Sequence, residues 1–121
     1  MDLQVVELDN GIALEGVPGM PLMRAAEDCT EVIGACFETR ARGVLLYAAN
    51  LPDRFFDLSS GEAGVILQKF RQYRIRLAVV AAPTGLPQSR RFQELLIDER
   101  QGNDFAVLPD RAAAVAWLQR G

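Results

Sequence analysis

The residues with the most chemistry in this chain crowd into one stretch: Asp53, Asp57, Ser59, Ser60, Gly61 and Glu62. Asp53 and Asp57 could exchange a proton as an acid/base pair, although aspartates in loops mostly cap turns by binding the backbone. Two serines and a glycine placed where a helix begins face unpaired N–H groups and partial positive charge. Such a place holds a phosphate well, either bound from solution or attached to a serine. The same residues also describe an ordinary capped helix, with Ser59 as N-cap and Glu62 three positions later closing a capping box. A second group, Thr84, Gly85, Arg90 and Arg91, could supply another wall for an anion, nucleotide or lipid head group. An arginine pair at a helix start is more often the mark of a solvated face than of an anion clamp.

The absences narrow the chemistry. There is no histidine, which removes Ser-His and Cys-His nucleophilic sites and most zinc sites. No P-loop glycine pattern and no metal-ligand spacing is present, so a non-enzymatic protein without metal or cofactor is expected. Cys29 and Cys36 stand seven apart on one helical face, about 10 Å along the axis, too far for a disulfide. They read as small buried hydrophobes.

The elements that must position these residues follow from periodicity. Leu3–Leu8 is a strand, Asn10-Gly11 a hairpin turn, and Ile12–Gly16 the return strand. From about Arg24 to Arg42, apolar residues at Ala25, Cys29, Val32, Ile33, Cys36 and Phe37 give a helix, ended by Gly43. Gly43–Ala49 is a continuous apolar run, a strand buried on both faces. A loop through Asn50–Arg54 leads to the serine motif. The motif helix runs from about Ser60 to Tyr73, with Ala63, Ile66, Leu67, Phe70 and Tyr73 inward. Ile75–Ala82 is a second buried strand. After the loop Pro83–Gln88, Ser89 caps a helix with Phe92, Leu95 and Leu96 inward. Asp104–Leu108 is the last strand, and Asp110 caps a final helix facing inward through Ala114, Trp117 and Leu118. The order β-β-α-β-α-β-α-β-α predicts one α/β domain over residues 1–121, with a mixed, mostly parallel sheet and covering helices. Ligands of such sheets gather at the loops after the strands' carboxyl ends, which is where Phe55–Gly61 falls.

Composition sets the outer bounds. At 121 residues with half of them hydrophobic, the chain suits a single core. A net charge of −3 without a basic patch argues against nucleic acid and anionic membrane as partners. No apolar run approaches a membrane span. Met1-Asp2-Leu3-Gln4 lacks the basic start of a signal peptide, so the cytoplasm is the expected location.

Two resemblances add to this reading. Asn50-Leu51-Pro52-Asp53, then Phe55-Phe56-Asp57-Leu58-Ser59-Ser60-Gly61, then Ala63-Gly64-Val65-Ile66-Leu67 resembles the STAS family of bacterial anti-sigma-factor antagonists. There, an acid, two serines and a glycine precede a helix that begins Leu-Gly-Val-Ile-Leu, and the second serine is phosphorylated by an anti-sigma factor that is a protein kinase. The resemblance implies a STAS-like fold, Ser60 as phosphosite, and a kinase or anti-sigma-like regulator as protein partner. In this chain Leu58 intervenes between the acid and the serines, and alignment on the helix would put Gly61 at the phosphosite. The longer stretch from Phe55 to Phe70, followed by Tyr73-Arg74-Ile75-Arg76-Leu77-Ala78, is similar to a small single-domain bacterial family of unknown function. That family carries the extra residue and often has a charged residue at the position of Ser59. Its likeness implies a STAS-like α/β fold and no established activity; a regulatory or binding role is the expectation for the chain as a whole.

Overall fold

The computed structural model describes residues 3–57, 60–82, 94 and 103–120. Strands β1 (Leu3–Leu8) and β2 (Gly11–Gly16) form the expected hairpin, with Leu8 paired to Gly11 around the turn residues Asp9 and Asn10. A short 3-10 turn at Ala26–Asp28 runs into helix α1 (Cys29–Thr39), followed by β3 (Gly43–Tyr47). Helix α2 (Glu62–Gln72) leads to β4 (Arg76–Val80). Strand β5 (Phe105–Leu108) and helix α3 (Arg111–Gln119) complete the described elements. The third predicted helix, capped by Ser89, lies outside the described residues. The sheet is mixed, as expected: five strands in the order β1-β2-β3-β4-β5, antiparallel at the hairpin and parallel elsewhere. No helix among the described residues is long and apolar enough to cross a membrane.

Alternation along the strands sends neighbouring side chains to opposite faces. Leu14, Val44, Leu46, Leu77, Val79 and Phe105 join the inner faces of α1 and α2 in the larger core. Ala13, Leu45 and Ala78 meet Ala114 and Leu118 of α3 on the other face. Two alanines on that face let α3 lie close. A methyl group built on Gly43 would sit 2.7 Å from Leu118 Cδ2 and 3.1 Å from the Arg76 carbonyl oxygen. Gly43 is thus a site of close approach inside β3, not the helix terminator its position suggests.

Both α1 and α2 end on an arginine instead. Arg40 (φ 61°) and Arg74 (φ 57°) adopt the left-handed conformation, and the next residue closes each helix: Ala41 N–H on the Cys36 carbonyl and Ile75 N–H on the Phe70 carbonyl, each at 2.9 Å. This closure ordinarily falls to glycine; an L-residue there costs about 1 kcal/mol. Cys29 and Cys36 are buried and free, and burial pushes the Cys36 thiol up to about 12.

Phe37 and Tyr73, expected in the core, are instead exposed, by 61% and 42%. Their rings meet edge to face at 5.5 Å across the outer seam of the two helices. Each lies at the margin of its helix's apolar stripe, and with only two helices on this face nothing among the described elements covers that margin. Helix α3 has the predicted cap, Asp110 Oδ1 accepting the Ala113 N–H at 2.8 Å. Its other end is held by Arg76, which donates to the Trp117 and Leu118 carbonyls at 3.0 Å each and lies 3.9 Å over the Trp117 ring.

Candidate functional site

Strand β3 delivers the chain to the carboxyl edge of the sheet, where a 3-10 turn (Ala48–Asn50) redirects it. Asn50 is buried at 1% exposure and uses its whole amide. Its Nδ2 donates to the Val17 and Met20 carbonyls at 2.9 and 2.7 Å, and its Oδ1 accepts the Tyr47 N–H at 2.7 Å. Asn50 therefore staples the loop after β2 to the start of the loop after β3. Next, Phe55 N–H reaches the Pro52 carbonyl, Asp57 N–H the Arg54 carbonyl, and Ser60 N–H the Asp57 carbonyl, at 2.9, 3.0 and 3.0 Å. These successive turns drop Phe55 into the core, fully buried against Phe56 and Phe105.

The coil of turns closes on Ser60. Its hydroxyl shares one proton between the Asp57 and Arg54 carbonyls, at 2.7 and 2.9 Å, and accepts the Glu62 N–H at 3.3 Å. Gly61 occupies the N-cap position at φ 79°, and Glu62 is the first helical residue. Glu62 is thus not the third residue of a capping box; the serine oxygen that serves the helix start belongs to Ser60. Asp53 and Glu62 line a cavity of about 250 Å³ together with Arg24 and Arg54. Asp57 is exposed and lies apart from that lining. Ser59, Thr84, Gly85, Arg90 and Arg91 lie outside the described residues, so the expected second wall does too.

A second polar cluster sits on the α3 face of the same edge. Arg111 forks onto Glu15, Nε to Oε2 at 2.9 Å and a terminal nitrogen to Oε1 at 3.1 Å, while the Tyr47 hydroxyl donates to Oε2 at 2.5 Å. Burial opposes ionisation of Glu15, but the hydrogen bonds from Arg111 and Tyr47 and the Arg111 charge outweigh it and hold the carboxyl below its usual range. Burial, then the hydrogen bond and charge of Glu15, push Tyr47 up to about 12. Sequence reasoning missed this trio because its members come from three elements and Arg111 is 96 positions from Glu15. The one available signal was a charged residue, Glu15, inside an otherwise apolar strand. Among the described residues no cluster of His, Cys, Asp and Glu could hold a metal ion.

No curated protein and no solved structure matches this chain significantly. A family model described as a domain of unknown function, DUF4180, matches residues 12–118, from β2 through α3. With the match spanning four of the five described strands, the serine loop and both helical layers, the chain belongs to that family of unknown function.

Proposed function

We propose that this chain is a bacterial, cytoplasmic STAS-like module that works by binding a regulatory protein partner through the loop 53–62, without catalysis of its own. The observation that carries this reading is the Ser60 hydroxyl, whose one proton lies between the Arg54 and Asp57 carbonyls. A phosphate on Ser60 removes that proton and adds about 1.5 to 2 negative charges. Acceptor oxygens would then face two carbonyl oxygens, so the coil of turns must open. The start of α2 and the neighbouring Arg24 and Arg54 would receive the new charge, while Asp53 and Glu62 would oppose it. A loop built this way has two arrangements separated by one modification, which suits a partner that is a kinase or an anti-sigma-like regulator.

The test is capture from a bacterial host lysate with wild type, Ser60→Ala and Ser60→Asp as baits, together with phosphopeptide mapping of the native protein. The expected result is a partner held by wild type and released by Ser60→Asp. Identical partners on all three baits, with no phosphate on Ser60, would sink the switch. The alternative reading is a small-ligand site for an anion, nucleotide or lipid head group at the same helix start. The cavity lined by Arg24, Asp53, Arg54 and Glu62 favours it. A ligand at one hundred times its Kd would stabilise the fold by about 2.7 kcal/mol, so a flat thermal response across such ligands counts against it.

A further inference from the structure

The opposite edge of the sheet, where the parallel strands begin, carries a cavity that the serine loop does not touch. It measures about 250 Å³ and is lined by Leu8, Asn10, Ala41, Arg42, Gly43, Arg74, Arg76 and Leu118. Three arginines line it, and among the described residues no carboxylate does, in a chain whose net charge is −3. Clustered like charges are unfavourable unless something of opposite sign is shared among them.

The three arginines differ in how far they are already committed. Arg76 spends its donors on Asn103 and on the Trp117 and Leu118 carbonyls. Burial lowers its affinity for a proton, Asp104 opposes that effect, and the Arg42 charge adds to it. Arg42 uses one terminal nitrogen on the Asn10 carbonyl, at 2.7 Å. The Arg74 side chain has no hydrogen bond or ion pair among the described residues; only its backbone N–H is engaged, on the Arg71 carbonyl at 3.1 Å. It also occupies its left-handed position at φ 57°, where glycine would be at ease. The helix dipole explains a cation near the end of α2; it does not explain two further guanidiniums around the same hollow. A guanidinium fork matches the paired oxygens of a phosphate. Leu8, Ala41 and Leu118 give the hollow an apolar side.

We propose that this cavity binds the phosphate group of a small metabolite, with Arg42 and Arg74 as its hands and Arg76 as a fixed positive wall. The site is independent of Ser60 and stands or falls apart from the reading given for that loop.

Trp117, the single tryptophan, stacks on Arg76 and supplies a built-in probe. The experiment titrates the full chain with inorganic phosphate and with glycerol phosphate, at ionic strength held constant with sodium chloride. Binding is followed by calorimetry and by Trp117 fluorescence. The expected result is saturable binding that weakens roughly tenfold or more in Arg42→Gln and again in Arg74→Gly, about the value of one charge-assisted hydrogen bond per variant. Arg74→Gly relieves the left-handed strain, so its melting temperature should hold or rise while affinity falls, which separates lost binding from lost folding. Tighter binding of the ester assigns the apolar side to an organic body; equal binding assigns the site to free phosphate. Absence of heat and fluorescence change at tens of millimolar of either probe overturns the proposal. So does a double variant, Arg42→Gln with Arg74→Gly, that binds as wild type does.

Discussion

Replacing Arg111 by methionine keeps an unbranched stem of similar length and removes the fork that neutralises Glu15. The Glu15 side chain is only 12% exposed, whereas that of Arg111 is 52% exposed. Two charge-assisted hydrogen bonds of roughly 1.5–3 kcal/mol each disappear. Water reaches the open side of Arg111 and screens the pair, so less than half of that sum should be felt. We expect Arg111→Met to cost about 2 kcal/mol at pH 7, or on the order of 8 °C in Tm.

The pH dependence makes the prediction sharper. In the wild type the Glu15 carboxyl is held below its usual range. Its contribution is therefore complete above the ordinary glutamate value of about 4.3 and is lost below it, as pH falls through the lowered value of the folded state. In Arg111→Met the largest remaining influence on Glu15 is burial, which disfavours the charged form. The gap between the two proteins should thus narrow as pH falls below the ordinary glutamate value and through the lowered one of the wild type, where its Glu15 takes up a proton. At the alkaline end Tyr47, held up to about 12, contributes stability that is present below the ordinary tyrosine value of about 10. That contribution is lost as pH rises toward 12, and Tyr47→Phe should remove the dependence. Urea unfolding followed by Trp117 fluorescence, at pH 7 and pH 3.5 for Glu15 and from about pH 9 to pH 12 for Tyr47, measures both arms. A cost under about 0.5 kcal/mol at pH 7, or an equal cost at both pH values, would refute the idea that Arg111 is what keeps a buried charge in place.

Asn50→Asp should be more disruptive at neutral pH than Asn50→Ala, because a carboxylate there would face the Val17 and Met20 carbonyls without a proton to give. We expect losses of at least about 3 and 2 kcal/mol respectively, by urea unfolding. Gly43→Ala should cost about 2 kcal/mol despite adding one methyl group. The Arg76 carbonyl 3.1 Å away is backbone and cannot turn aside, so a calorimetric Tm equal to wild type would contradict the close approach of α3.

The elements with a strong period were legible in the sequence. The hairpin, the buried strands β3 and β4 and the Asp110 cap follow directly from residue type. Helix ends were less so: Gly43 looked like the terminator of α1, but three residues earlier Arg40 takes the left-handed turn and Gly43 serves Leu118 instead. That choice depends on a helix that approaches from the far end of the chain, which no local window contains. The serine loop was legible as a loop after a strand. The role of the Ser60 hydroxyl as the clasp of the turns was not legible, because a two-residue shift of the helix start, from Ser60 to Glu62, exchanges cap for clasp. Phe37 and Tyr73 satisfy the helical period yet stay in solvent, since period identifies a face and not what lies opposite it.

The sheet's strand order has a consequence for how the chain assembles. Every strand pairs with its neighbour in sequence, so each new strand can dock as it is made, with α1 and α2 roofing one side along the way. Helix α3 comes after all five strands, and among the described elements none covers the opposite side before it arrives. That late-covered side presents Ala13, Leu45 and Ala78 at its centre, whereas the early-covered side presents Leu14, Val44, Leu46, Leu77 and Val79. The stickier surface is thus hidden first, and the one left waiting in water is the poorer in apolar area, where premature association with other chains gains least.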